Sequence, residues 1–306
     1  MALVDVVVVS YNNRRHLRAS VEPLCRLGVV HVTVVDNASS DDSLETVADL
    51  PVSILALPDN RGFAAGCNAG WRSGEAPFVL LLNPDARIDA GSLERLAGVL
   101  QADKSVGVVA PRIIDGDGSL DFSQRRFPRL RSTYAQALFL HRLFRRAAWT
   151  DEVVRDETAY ASPGSSEWVS GACMLIRRSA LEQLGGLDDG FFMYCEDKDL
   201  CRRARDAGFE VRYEPAAVCQ HEGGASAPRP ALLPVLAESR VRFAVKHQRS
   251  LPALLERVGI GLGALTHALV GRGGKPVRKG HARALRTVIA GNGLGPARGT
   301  SRTDSP

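Results

Sequence analysis

The stretch Phe78-Val79-Leu80-Leu81-Leu82-Asn83-Pro84-Asp85 decides the fold. Five apolar residues in succession read as a strand buried on both faces, as in a parallel sheet covered by helices on either side. Proline cannot donate to a sheet ladder, so the run stops at Asn83-Pro84, and a carboxylate follows at once. Ligands of open α/β sheets bind outside the carboxyl ends of the strands, so Asp85 stands where a bound ion or phosphate would lie. A second reading stays open, in which Asp85 only caps a helix beginning near Ser92.

Upstream, LVDVVVVS at 3–10 and HVTVV at 31–35 are further β-branched runs, and 52–57 is another. Between them the spacing of Leu17, Val21, Leu24 and Leu27 predicts a helix over 14–27, stopped by Gly28. Another helix is expected from about Ser43, and a third carries Trp71. Strands alternating with helices argue for βαβ units and a doubly wound, mainly parallel α/β sheet. Downstream, strands are expected at 106–110, 167–176, 210–213 and 217–220, with helices at 177–184 and 196–207. After Gly224 the composition shifts to Pro, Arg and Gly, which places a boundary between a compact part, 1–224, and an extension, 225–306, partly helical with a disordered end.

The 306 residues are 45% hydrophobic and 24% charged, ordinary for a globular chain. Cysteines at 25, 67, 173, 195, 201 and 219 form no C-x-x-C pair, which argues for reduced thiols rather than a zinc ribbon. The start, Met1-Ala2-Leu3-Val4-Asp5, lacks the basic segment of a secretory signal, and the longest apolar candidate for a span, 258–270, is 13 residues against the roughly 20 that a bilayer needs. A cytoplasmic protein is expected. The net charge of +5 hides an asymmetry: residues 225–306 carry 14 Lys/Arg and 3 Asp/Glu, so the remainder is acidic. Leu254, Val258, Leu262, Leu265 and Leu269 form a helical apolar stripe, followed by Lys275, Arg278, Lys279, Arg283 and Arg286. An apolar face with a basic flank suits an anionic membrane surface, here the inner face of the plasma membrane, although Gly259, Gly261 and Gly263 weaken the helix. No nucleic-acid module is recognisable, and nucleic acid is not expected as a partner. Residues 123–150 hold seven arginines and no acid, either a solvated basic face or a lip that meets phosphates.

Two clusters could carry chemistry. Ser10-Tyr11-Asn12 and Asp36-Asn37 follow adjacent buried strands and should converge at one sheet edge, where a carboxylate can accept from a base N–H or a ribose hydroxyl. The glycine motif of dinucleotide folds is missing there, and Asp36 as a plain turn residue stays open. Glu196-Asp197 begins a helix after a loop carrying Phe191, Phe192 and Tyr194. A carboxylate near aromatics can have a raised pKa and act as a general base, whereas the bland reading, which also covers Asp199, is acids at a helix N-terminus.

The order of motifs resembles the family 2 glycosyltransferases, especially the bacterial rhamnosyltransferase-like branch. The motifs are VVDNASSD at 34–41, Asn60-Arg61-Gly62-Phe63-Ala64 with Gly66 and Asn68, LLNPD at 81–85, WVSGAC at 168–173, and FMYCEDKDLCRR at 192–203. The resemblance covers roughly residues 3–224 and implies a GT-A fold, with a nucleotide-sugar half at 1–110 and an acceptor half at 111–224. It implies that Ser10, Tyr11, Asn12, Asp36, Asn60, Gly62, Asn68 and Asn83 surround a nucleoside-diphosphate sugar linked to dTDP or UDP. Asp85, the last residue of the family's Asp-x-Asp motif, would hold Mg²⁺ or Mn²⁺ on the diphosphate, with His221 as a further ligand. Asn83 stands where the first aspartate is common, leaving one carboxylate. Asp197, with Glu196 beside it, would be the base, and Trp168, Ser170, Gly171 and Ala172 would line the acceptor pocket. One base without a catalytic nucleophile implies a single displacement with inversion, plausibly of L-rhamnose from dTDP-rhamnose, onto a glycan or a polyprenyl-diphosphate-linked acceptor for cell-envelope polysaccharide. Two rival expectations are a nucleotidyltransferase, against which the missing glycine-rich phosphate loop speaks, and a non-catalytic binding protein on the same fold, which Asn83 favours.

Overall fold

The computed structural model describes residues 2–144, 147–223 and 229–291. The first strands are β1 (Val4–Ser10), β2 (Val30–Asp36), β3 (Ser53–Ala56) and β4 (Phe78–Leu82). They lie parallel in the order β3-β2-β1-β4. Every residue of β1 and β4 is buried, which is why both run without polar alternation; the exceptions in β1 are Asp5, paired with Arg178, and Ser10 at its end. Helices α1 (Leu17–Cys25) and α2 (Phe63–Arg72) cover opposite faces, one in each of two cores. Val6 and Leu80 line one core, Val7 and Leu81 the other; each such side chain contributes about 1.5–3 kcal/mol by leaving water.

The second half differs from expectation in strand direction. The sheet continues through β11 (Cys173–Arg177), β6 (Val106–Ile114), β12 (Glu210–His221) and β5 (Ala86–Ile88). β11 runs antiparallel to β4 and β6, and β5 antiparallel to β12. The expected strand over 167–176 is two elements: β10 (Trp168–Val169) pairs with β8 (Gln124–Arg125) in a separate ribbon, and a turn at 170–172 leads into β11. The two expected strands at 210–213 and 217–220 are the single strand β12, irregular between Glu214 and Val218. The helix expected from Ser43 is a short 3₁₀ turn, Leu44–Val47.

Helix α3 (Ala90–Ala102) packs on β6 and β12, and short β7 (Leu120–Asp121) and β9 (Gly164–Ser165) flank the same two strands. Asp89 caps α3, accepting from the Ser92 amide at 2.8 Å, so capping does not need Asp85. Beyond β8 come α4 (Leu130–Ala137) and α5 (Leu140–Leu143), then α6 (Arg178–Leu184) and α7 (Glu196–Asp206) around β11 and β12.

The basic extension forms α8 (Arg229–His247), α9 (Ser250–Val270) and α10 (Gly274–Ala290). The boundary at 225 and the tail end, 292–306, lie outside the described residues. α9 is 21 residues and, by length and composition, apolar enough to cross a membrane, longer than the 13-residue run because the helix starts at Ser250 and takes in Leu251, Leu254 and Leu255. Its glycines serve packing: a β-carbon at Gly259 would come within 2.8 Å of Thr133, so glycine lets α9 lie close on α4. Tyr134 donates to the Leu255 carbonyl at 2.9 Å, Thr266 to that of Ala137 at 2.7 Å, and Thr133 to the Glu256 carboxyl. Small residues face inward, Ala253, Gly259, Gly261 and Ala264, together with Ile260, while Leu251, Leu254, Val258 and Leu269 point outward, each more than half exposed. A cavity of about 290 Å³ lies between α4 and these helices; none of the residues expected to carry chemistry lines it.

Candidate active site

The sheet edge at the ends of β1 and β2 is built as expected. Ser10 and Asp36 are register partners, and the Asn37 amide donates to the Ser10 carbonyl at 2.8 Å. Asn12, at φ +55°, ties this loop to the next: its amide donates to Ser39 Oγ at 3.0 Å and its Oδ1 accepts from the Ser40 amide at 2.8 Å. Asp36 is buried; Oδ2 accepts from the Ser39 amide at 3.1 Å, and Oδ1 has no hydrogen-bond partner. Ser10 Oγ is likewise buried and unpartnered. Such groups cost free energy until a ligand satisfies them, which marks this edge as a binding surface. Tyr11 stands exposed beside it.

Asn37 Nδ2 donates to Asn60 Oδ1 at 2.9 Å and to the Gly62 carbonyl at 3.1 Å, drawing the 60–62 loop to the same edge. Gly62 adopts φ +87°, and a β-carbon there would collide with the Phe192 carbonyl, which accepts from the Phe63 amide at 2.7 Å. The glycine thus joins this sheet edge to the loop before Glu196. Asn68 has another task. Its Nδ2 donates to the Leu187 carbonyl at 2.8 Å and to Asp189, and its Oδ1 accepts from the Leu187 amide and Trp71 Nε1. With its hydrogen-bonding capacity spent, Asn68 pins the 187–189 loop.

Asp85 lies at the start of β5, and β12 brings His221 beside it through the register pair His221–Ala86. His221 Nε2 lies 3.3 Å from Asp85 Oδ1 and 3.3 Å from Asn83 Nδ2. Burial pushes the Asp85 pKa up, but the hydrogen bond and charge of His221, with His16 adding, hold it below the usual carboxylate range. An ionised oxygen and an imidazole nitrogen that face one another are a donor set that suits Mn²⁺ and, less well, Mg²⁺. Among the described residues no three His, Cys, Asp or Glu side chains are arranged to hold a metal by themselves. The residues therefore fit a cation that takes its remaining ligands from a diphosphate and water.

The second acidic centre faces this one across the 170–172 turn. The Gly171 amide donates to Asp197 Oδ2 at 2.9 Å, and the Ala172 carbonyl accepts from the Asn83 amide at 2.9 Å. Tyr194 and Cys195, both at φ +67°, put a strained, left-handed pair immediately before α7, which turns Glu196 and Asp197 toward the turn. Glu196 is buried with Oε2 unpartnered; burial and then the Asp197 charge push its pKa well above the usual range. Burial raises the Asp197 pKa above the usual range too, although the amides of Gly171 and Lys198, with the charges of Lys198 and Arg125, limit the rise. Of the two neighbours, Glu196 is pushed up further and holds its proton to the higher pH. Ser170 closes the turn, its amide donating to the Ser123 carbonyl at 3.1 Å, and Trp168 donates through Nε1 to the Arg126 carbonyl at 2.9 Å.

Sequence reading missed the support beneath this centre. Lys198, buried, donates to Glu152 Oε2 at 2.8 Å and lies 4.9 Å from the Trp168 ring centre; Arg240 of α8 pairs with Glu152 Oε1 at 3.3 Å. Asp199, fully buried, binds Arg203, Lys246 and His247, each at 2.7 Å, so it fastens α8 to α7 rather than merely favouring a helix start. The signal that was available was a run of four charged residues, Glu196 to Asp199, directly before the apolar Leu200 and Cys201; the partners lie 46 and 48 residues away and could not be paired from spacing.

Comparison with known proteins agrees with this geometry. The model of glycosyl transferase family 2 matches residues 5–185. The chain belongs to this family, and its fold is GT-A. It is 31% identical over 242 residues to the N-acetylglucosaminyl-diphospho-decaprenol L-rhamnosyltransferase of Mycobacterium tuberculosis, covering 74% of this chain and 78% of the relative. It is 29% identical over 150 residues to the rhamnosyltransferase WbbL of Escherichia coli K12, 48% of this chain and 52% of that one. Among solved structures, a mannosyltransferase of Pyrobaculum calidifontis in complex with GDP-Man and Mn²⁺ superposes with a TM-score of 0.55 at 19% identity, covering 95% of this chain and 86% of the other. The chain is a glycosyltransferase.

Proposed function

We propose that this protein transfers L-rhamnose from dTDP-rhamnose to a polyprenyl-diphosphate-linked amino sugar, with inversion, at the inner face of the plasma membrane. The observation that carries the chemistry is the 170–172 turn, hydrogen-bonded at one residue to Asp197 and at the next to Asn83. The nucleotide lies along Ser10, Asp36 and Asn60, whose unpartnered or loop-held polar atoms face the sheet edge. Asp85 and His221 hold the divalent cation, which when bound supplies positive charge against the leaving diphosphate. Asp197 takes the proton of the acceptor hydroxyl as that oxygen bonds to the anomeric carbon and the bond from that carbon to the diphosphate oxygen breaks. Glu196, whose pKa burial pushes up further than that of Asp197, repels the diphosphate less than an ordinary glutamate would. The donor and acceptor classes follow the rhamnosyltransferase relatives.

The test is transfer by purified protein with dTDP-rhamnose and Mn²⁺ or Mg²⁺. Asp197→Asn is expected to lower kcat by about 10²–10⁴, the usual worth of a general base, while nucleotide binding persists. Transfer at the wild-type rate by both Asp197→Asn and Asp85→Ala would overturn the assignment. The membrane side of the reading rests on α9 and α10: the outward leucines of α9 neighbour a helix with five Lys/Arg and no acid.

A further inference from the structure

Among the described residues, Arg125 is a cation beside the acid pair whose guanidinium makes no hydrogen bond. Of the seven arginines at 123–150, Arg126 donates to the Val153 carbonyl at 3.3 Å, Arg129 pairs with Glu167 at 3.0 Å, and Arg131 stands exposed in water. Arg125 is half-buried with its Nε fully enclosed, and among the described residues its guanidinium makes no hydrogen bond or ion pair. Its contact is the Trp168 ring, 5.8 Å from the guanidinium carbon.

The ribbon sets that position. Arg125 and Trp168 are register partners of β8 and β10, and Val153 bridges Arg125 from the other side. β10 runs directly into the turn whose Gly171 amide holds Asp197, so Arg125 and its neighbour Trp168 sit on the ribbon that leads to the proposed base. Glu152 and Asp197 are the carboxylates nearest to Arg125 in charge interaction, and each is held by other groups. Glu152 is already taken by Lys198 and Arg240, and Asp197 by two amides. Neither carboxylate makes a hydrogen bond or ion pair to Arg125, so among the described residues the donors of this half-buried guanidinium are unspent.

We infer that Arg125 binds the diphosphate of the acceptor and thereby selects lipid-diphosphate-linked sugars over neutral ones. The inference rests on the glycosyl-transfer reading. A planar guanidinium matches two phosphate oxygens at once, and the donor diphosphate is served by the Asp85–His221 site on the other side of the 170–172 turn. Arg125 is a specificity residue here: it fixes the acceptor's anionic end so that the hydroxyl meets Asp197.

The experiment compares a polyprenyl-diphosphate-linked N-acetylhexosamine with the same sugar on a neutral alkyl chain. Wild type is expected to prefer the former. Arg125→Ala should raise its KM by about 10- to 100-fold, the range for losing charge-assisted hydrogen bonds, and should erase most of the preference. Arg125→Lys should restore part of it, and Arg131→Ala, removing the same charge from the exposed face, should leave it intact. Equal losses on both acceptors overturn the inference, as does a wild type without preference. So does an unchanged preference with the acid limb of the pH profile moved up, since Arg125 would then serve only to keep Asp197 ionised. Binding of the diphosphate-linked acceptor without donor separates this from the reaction itself. A tenfold loss in Arg125→Ala supports the inference even where no transfer is detected, and equal binding overturns it.

Discussion

Glu196 and Asp197 are adjacent in sequence and opposite in character. Asp197 receives two amide hydrogens and faces two cations, whereas Glu196 is enclosed with one oxygen unpartnered. The folded chain therefore keeps Glu196 protonated at pH values where the unfolded chain does not. Below its ordinary pKa of about 4.3 both states hold the proton and no stability depends on it. Above that value the unfolded state releases its proton while the folded state retains it, so stability falls as pH rises. Glu196→Gln should thus melt higher than wild type at pH 8, with the gap closing near pH 4, as scanning calorimetry can measure. His221 offers a second test. His221→Ala should weaken Mn²⁺-dependent protection of the protein by dTDP against thermal unfolding, with metal affinity falling about 10- to 100-fold. Unchanged protection would remove His221 from the site.

At the scale of elements, what was legible was what local chemistry dictates. β1, β2 and β4 were readable because burial on both faces favours β-branched and apolar residues without polar alternation, unbroken in β4 and interrupted by Asp5 in β1 and by His31 and Thr33 in β2. The direction of β11 was not, since a buried strand reads the same whichever way it runs. The 170–172 turn was hidden inside an apolar run, because Ser170, Gly171 and Ala172 are small enough to pass for strand residues. Asp85 was legible as an acid beyond a strand end, and the structure adds that β12 delivers His221 to it across 136 residues of chain. The acid–base support was not legible, because Glu152 lies in a segment without periodicity. Gly62 gives a test at this scale: Gly62→Ala forces a β-carbon onto the Phe192 carbonyl at a positive φ. It should cost at least about 1 kcal/mol of stability and lower transfer further, by displacing the loop that leads to Asp197. Wild-type kinetics in this variant would show that the loop is not coupled to the nucleotide edge.

Across the whole molecule, α8 to α10 are tied to the catalytic part by charge. Asp199 is fully buried beneath Arg203, Lys246 and His247. Removing it leaves cations without their anion, so Asp199→Ala should lose about 3–5 kcal/mol in denaturant unfolding. A loss under 1 kcal/mol would mean that the helices hold by apolar packing alone. The outward face of α9 leads to a second expectation. The protein should sediment with vesicles containing anionic lipid and not with neutral ones, and high salt should release it, since each basic residue near such a surface contributes about 1 kcal/mol. Equal binding to neutral vesicles would assign the attachment to the leucines and not to charge.

The turn at 170–172 has a consequence for how such an enzyme can diverge. One peptide's carbonyl holds the strand end that leads to Asp85, and the amide one residue before it holds Asp197. With Asp85 and Asp197 in their proposed roles, this single short spacer gauges the gap between leaving group and base. One residue inserted between Val169 and Cys173 would alter that gauge.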